Sequence, residues 1–278
     1  MSESELPPPP VATQAERRRR FRGVPMRLLL PNVITLLALS LGLTAIRFAF
    51  EGSFEWAVSA IAGAAVLDGL DGRIARALKG TSRFGAELDS LADFVDFGVA
   101  PGIVIYLSGL EKLHGFGWLV TLVFSIAAAL RLARFNVSID DPDLPAWRKN
   151  FFVGMPAPAG AVVGLLPVYL NFLASGERAQ SNAVLILEAI YVIAIALLMA
   201  SQVPHFSGKS MGRVPRDYVA AVLIGVAALL LTITYYPLQS LIALSIAYLA
   251  TIPLSVRHFL RLKRENSVSA VEDPPFRG

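Results

Sequence analysis

Four aspartates within a short stretch, Asp68, Asp71, Asp89 and Asp93, are the residues of this chain best placed to do chemistry. The stretch reads AAVLDGLDGRIARALKGTSRFGAELDSLADFVDFGVAPG. Asp68 and Asp71 stand three apart and Asp89 and Asp93 four apart, so each pair shares one helix face. Four carboxylates brought together repel unless positive charge lies among them, and oxygen donors at that density suit Mg²⁺ or Mn²⁺. Two such ions clamping one phosphoryl group are a common arrangement for in-line displacement at phosphorus. Gly72 and Ala75 leave the helix surface bare enough for a nucleotide to lie against backbone, and Gly85 permits a turn or a close approach. Arg76 offers a forked cation for phosphate oxygens. Asp96, taken alone, reads as an interfacial, solvated group at a helix end.

The elements that must hold these residues are apolar. The chain has 278 residues, 55% hydrophobic and 17% charged, against about 25% charged in an ordinary soluble domain. Eight runs approach the ~20 residues that span a bilayer: 31–50, 55–78, 89–109, 116–135, 155–173, 182–203, 217–235 and 237–256. The first aspartate pair closes the second run and the second pair opens the third. Two antiparallel helices joined by a short turn would therefore gather the carboxylates at one membrane edge. With the N-terminus inside, 22 of the 25 Lys/Arg fall on the cytoplasmic side and only Arg47, Lys112 and Arg178 fall outside. That asymmetry is the positive-inside pattern, and it accounts for the net charge of +4 without nucleic acid. Absence of Cys excludes disulfides and thiol chemistry. Pro7 to Pro10 and the cluster from Arg17 to Arg22 read as a disordered basic arm rather than a cleavable leader.

The spacing D-x2-D-G-x2-A-R-x8-G-x3-D-x3-D, met here from Asp68 to Asp93, resembles the signature of the CDP-alcohol phosphatidyltransferase family. LPNVITLLALSLGL, FGAELDSLADFVDFGVAP, ALRLARFN and FFVGMPAPAGA are similar to the branch of that family with serine as acceptor, and the resemblance reaches across about 205 residues. Where Asp96 stands, relatives in this branch are expected to carry Ser. The resemblance implies an all-α membrane bundle of about eight transmembrane helices with a six-helix catalytic core, working as a homodimer. It implies two Mg²⁺ or Mn²⁺ ions bound by Asp68, Asp71, Asp89 and Asp93, with Asp93 also the general base. Gly72, Arg76 and Ser82 would contact the CDP moiety. Pro31 and Asn32 either frame the nucleotide or simply turn the chain into its first helix.

The implied reaction moves the phosphatidyl group of CDP-diacylglycerol to the hydroxyl of L-serine and releases CMP, at the cytoplasmic face of a cell inner membrane. A serine carboxylate calls for a guanidinium, and Arg131 and Arg134 share a face near the cytoplasmic end of the fourth run, with Asn136 beside them. Their other reading is anchoring by snorkelling. The alternatives are the same chemistry with glycerol 3-phosphate, inositol phosphate or choline, and, more remotely, a cation transporter. The organisation expected is a basic arm over 1–27, a catalytic core over 28–205, two added helices over 206–264 and a disordered tail over 265–278.

Overall fold

Inside hydrocarbon no water can satisfy a peptide group, so an apolar run closes its own hydrogen bonds as a helix. The computed structural model describes residues 26–139 except 79 and 81, 151–173, 181–206 except 202, 232, and 235–272. Helix α1 spans Met26–Phe50 and α2 spans Phe54–Ala77. Helix α3, Arg83–Phe94, passes through a π-helical turn at Val95–Val99 into α4, Ala100–Ser108. A 3₁₀ turn at Leu110–Leu113 leads to α5, Gly115–Ile139. Then come β1 (Phe151–Val153), α6 (Ala157–Gly164), α7 (Leu166–Leu173), α8 (Asn182–Ala200), β2 (Pro204–Phe206) and α9 (Pro237–Glu272).

This is a polytopic membrane helix bundle. Five helices among the described residues are long and apolar enough to cross a bilayer: Leu29–Phe50, Arg83–Ser108, Gly115–Ser138, Asn182–Ala200 and Pro237–Arg261. The expected count of eight is not reached, for three reasons. Helix α2 forms where expected, but Glu55, Asp68, Asp71, Arg73 and Arg76 lower its hydropathy. The run 155–173 is broken at Leu165 into two short helices, and 217–235 lies almost wholly outside the described residues. The Pro7 to Pro10 run and the Arg17 to Arg22 cluster of the basic arm also lie outside them. Helix α9 continues to Glu272, into the segment read as a tail. One small antiparallel ladder was not expected: β1 pairs with β2, Phe152 opposite His205.

Buried stripes with alternating steps of four and three residues explain the packing. On α1 the stripe is Pro31, Thr35, Ala38, Gly42, Ala45, Ala49; on α2 it is Ala57, Ile61, Ala64, then half-buried Asp68, buried Asp71 and half-buried Ala75. Small residues let the two backbones approach closely, which is how helices associate where lipid is as apolar as the protein. The stripe that packs α2 into the bundle thus also carries its two aspartates inward. Helix α1 packs along α2 and against α3, so it forms a third wall beside the expected helix pair. The principal core joins Ala45, Ala57, Ile61, Val104, Phe124, Tyr169, Val192 and Met199 from six helices. Among the described residues, helices are also joined by hydrogen bonds such as Ser125 Oγ donating to Gly98 O at 3.1 Å. At ~0.6 kcal/mol each on average, they direct the packing more than they drive it.

Candidate active site

The turn between α2 and α3 begins the site. Ser82 is the N-cap of α3, in extended conformation, and its Oγ accepts from Gly85 N at 3.0 Å. That cap starts the helix at Arg83 and so fixes where Asp89 and Asp93 fall, two and three turns on. Asp68, Asp71 and Asp89 each offer a carboxylate oxygen within 4.8 Å of the others. Asp93, one turn on from Asp89, lies within electrostatic reach of Asp68 and Asp89. Three of the four aspartates singled out by spacing therefore meet, with Asp93 beside them.

Three carboxylate oxygens this close make a donor set for a hard divalent cation. Asp71 is buried, and Thr35 Oγ1 donates to its Oδ2 at 2.7 Å. The Pro31 carbonyl is a more distant acceptor for the same hydroxyl, at 3.1 Å. Thr35 thus orients Asp71 as the outer partners of metal-binding carboxylates do. The set fits a metal ion, and Asp68, Asp71 and Asp89 could hold one.

Beside this cluster lies a hollow of about 180 Å³ lined by residues of α1, α2, α3 and the turn, among them Asn32, Thr35, Gly72, Arg76, Ser82 and Gly85. Four expected nucleotide contacts, Asn32, Gly72, Arg76 and Ser82, share this one wall. Pro31 lines it too while sitting within the first helix, so the residue is more than a turn. Gly85 is needed for room: a Cβ there would lie 2.8 Å from Asn32 Oδ1 and 3.1 Å from Ser82 Oγ.

The two arginines of α5 part company. Arg131 is buried, lies over the Phe135 ring at 5.0 Å, and has no hydrogen-bond partner for its Nε. It faces Asp93 and Asp68, yet no salt bridge joins them. Arg134 instead donates from Nη1 to Ala200 O at 2.6 Å, tying the end of α5 to the end of α8. Asn136 donates to Ser90 Oγ at 2.9 Å and ties α5 to α3. The structure does not bring these two to the cluster.

Asp96 departs from its sequence reading. It is 1% exposed, its Oδ1 has no partner, and a side chain at Gly42 would collide with it. The π-helical turn carries it into the interior against α1, which no linear helix pattern foretells. Thr35 was missed as well. Its contact with Asp71 arises from the packing of α1 along α2, which spacing within α1 does not show.

Residues 28–200 match the family described as CDP-alcohol phosphatidyltransferase. The CDP-diacylglycerol–serine O-phosphatidyltransferase of Mycobacterium tuberculosis (strain ATCC 25618 / H37Rv) is 42% identical over 241 residues, covering 86% of this chain and 82% of that one. The protein of the same name in Mycobacterium leprae (strain TN) is 39% identical over 244 residues, 87% of this chain and 79% of that one. That of Bacillus subtilis (strain 168) is 37% identical over 179 residues, 64% and 90%.

Proposed function

This chain belongs to the CDP-alcohol phosphatidyltransferase family, and from that premise we propose that it transfers the phosphatidyl group of CDP-diacylglycerol to L-serine. The products are phosphatidylserine and CMP. One observation carries the reading: the Asp68, Asp71, Asp89 cluster borders a hollow lined by Asn32, Gly72, Arg76 and Ser82. The acceptor is taken from the relatives' names, which agree on serine. The substrates suit the location, because acyl tails need hydrocarbon while cytidine and serine need water.

Asp68, Asp71, Asp89 and Asp93 would hold two divalent ions, Mg²⁺ or Mn²⁺, which when bound supply positive charge against the pyrophosphate and the departing CMP. Arg76 pairs with phosphate oxygens at the mouth of the hollow. Gly72 and Gly85 let the nucleotide lie against backbone, and Asn32 and Ser82 present polar edges to it. Asp93 takes the proton of the serine hydroxyl as its oxygen attacks the phosphatidyl phosphorus. The new oxygen–phosphorus bond forms as the bond to the CMP oxygen breaks. Arg131, deeper and facing Asp93, receives the serine carboxylate. Arg134 serves the framework.

An acceptor panel tests the assignment. Purified protein with CDP-diacylglycerol and metal should release CMP with L-serine and not with glycerol 3-phosphate, inositol phosphate or choline. Release with glycerol 3-phosphate but not serine would leave only the family standing. We place the site and both termini in the cytoplasm, in a cell inner membrane, from the 22-to-3 division of Lys/Arg. With no native Cys, single Cys residues at the termini should resist an impermeant reagent added outside intact cells; labelling there would reverse the orientation. A homodimer follows from the family resemblance, and cross-linking in native membranes reads it directly.

A further inference from the structure

One contact of the aspartate cluster comes from outside the two helices that carry it. Thr35 of α1 is 5% exposed, and its Oγ1 donates to Asp71 Oδ2 at 2.7 Å. The Pro31 carbonyl, at 3.1 Å, is a second acceptor for the same hydroxyl. A hydroxyl has one proton to give, and the nearer, charged oxygen competes best for it. At 2.7 Å the bond has the length of the strong, charge-assisted kind. Thr35 is also hard to move, because a β-branched side chain in a helix has few rotamers and α1 packs along α2.

This bond decides how Asp71 can meet an ion. With Oδ2 engaged by Thr35, Oδ1 is the oxygen left for a metal. Chelation through both oxygens would require the carboxylate to turn away from the hydroxyl. Mg²⁺ demands near-octahedral geometry with oxygens at about 2.0–2.1 Å, and Mn²⁺ suits the same six-oxygen shell. Ca²⁺ takes about six to eight oxygens, at longer range, and commonly fills its shell with carboxylates that give both. A carboxylate restricted to one oxygen therefore disfavours the larger ion.

We propose that Thr35 sets the ion preference of the site, holding Asp71 as a one-oxygen ligand and so favouring small six-coordinate ions over Ca²⁺. The proposal rests on the reading of Asp68, Asp71 and Asp89 as metal ligands. It makes α1, a helix without a single acidic residue, part of the metal centre.

The test measures binding rather than turnover. Mn²⁺ and Ca²⁺ are titrated separately, by calorimetry, into purified full-length parent, Thr35→Val, Thr35→Ala and Thr35→Ser. Valine keeps the branched shape and alanine removes it, but both lack the hydroxyl and should agree; serine keeps the hydroxyl. Thermal midpoints report whether each variant folds. Mn²⁺ affinity should fall by about 10- to 100-fold in the valine and alanine variants, the weight of an outer partner of a metal ligand. Ca²⁺ affinity should hold or rise, so the preference for Mn²⁺ falls by at least the same factor, and serine should restore it. Unchanged Mn²⁺ affinity without the hydroxyl, or equal losses of Mn²⁺ and Ca²⁺, overturns the proposal while the aspartates keep their role. A folded parent that shows no saturable Mn²⁺ binding overturns the reading beneath it.

Discussion

Asp71→Asn is expected to lower kcat by about two to three orders of magnitude while the protein stays folded in the membrane. The substitution keeps shape and removes one negative charge from a donor set whose oxygens lie within 4.8 Å of one another. Losing a preorganised charge in a water-poor site costs roughly 3–4 kcal/mol at the transition state, hence the magnitude. Asp68→Asn and Asp89→Asn should fall as far. Stability should move the other way. Without metal, the parent holds carboxylates that repel at close range, so the metal-free variants should melt no lower than the metal-free parent. Near-normal turnover by any one of them across a metal titration would remove the metal assignment.

The second large effect is expected at Gly85. Gly85→Val puts two methyls where even a Cβ lies 2.8 Å from Asn32 Oδ1, into the hollow assigned to the nucleotide. The KM for CDP-diacylglycerol should rise by about 10- to 100-fold, the range that 1–3 kcal/mol of overpacking gives, with the serine KM little changed. Gly85→Ala separates fold from function. Alanine's helix preference over glycine, up to ~1 kcal/mol, is set against the shift that Asn32 Oδ1 and Ser82 Oγ must make for the new Cβ, so the thermal midpoint should stay near that of the parent while nucleotide affinity falls. If both variants bind CMP as the parent does, the nucleotide lies elsewhere.

The site was more legible in the sequence than the architecture. Aspartates three and four residues apart, separated by a turn, leave few geometries, and Ser82 falls at the cap position that starts the second helix. What escaped was whatever depends on a third element. Thr35 reaches Asp71 only because α1 packs along α2, and sequence spacing within one segment says nothing of its neighbour. Asp96 was misjudged because the π-helical turn at Val95–Val99 shifts the register that a regular helix would keep. Arg131 and Arg134 are equivalent by spacing. They are separated by the carbonyls of Ala200 and Ser201, which engage Arg134. One span was lost to charge: α2 carries Glu55, Asp68, Asp71, Arg73 and Arg76 within an otherwise apolar run, and hydropathy averages them in.

The central claim is that the aspartate cluster, charged with a divalent ion, moves a phosphatidyl group onto serine. The most direct measurement follows radiolabelled L-serine into lipid alongside CMP release, with chelator-treated protein to which Mg²⁺ or Mn²⁺ is returned. The account predicts equal amounts of labelled lipid and CMP, nothing without metal, and no more than a trace from Asp71→Asn at any metal concentration. Labelled lipid formed at the full rate in the presence of chelator, or CMP released with no serine entering lipid, would contradict it.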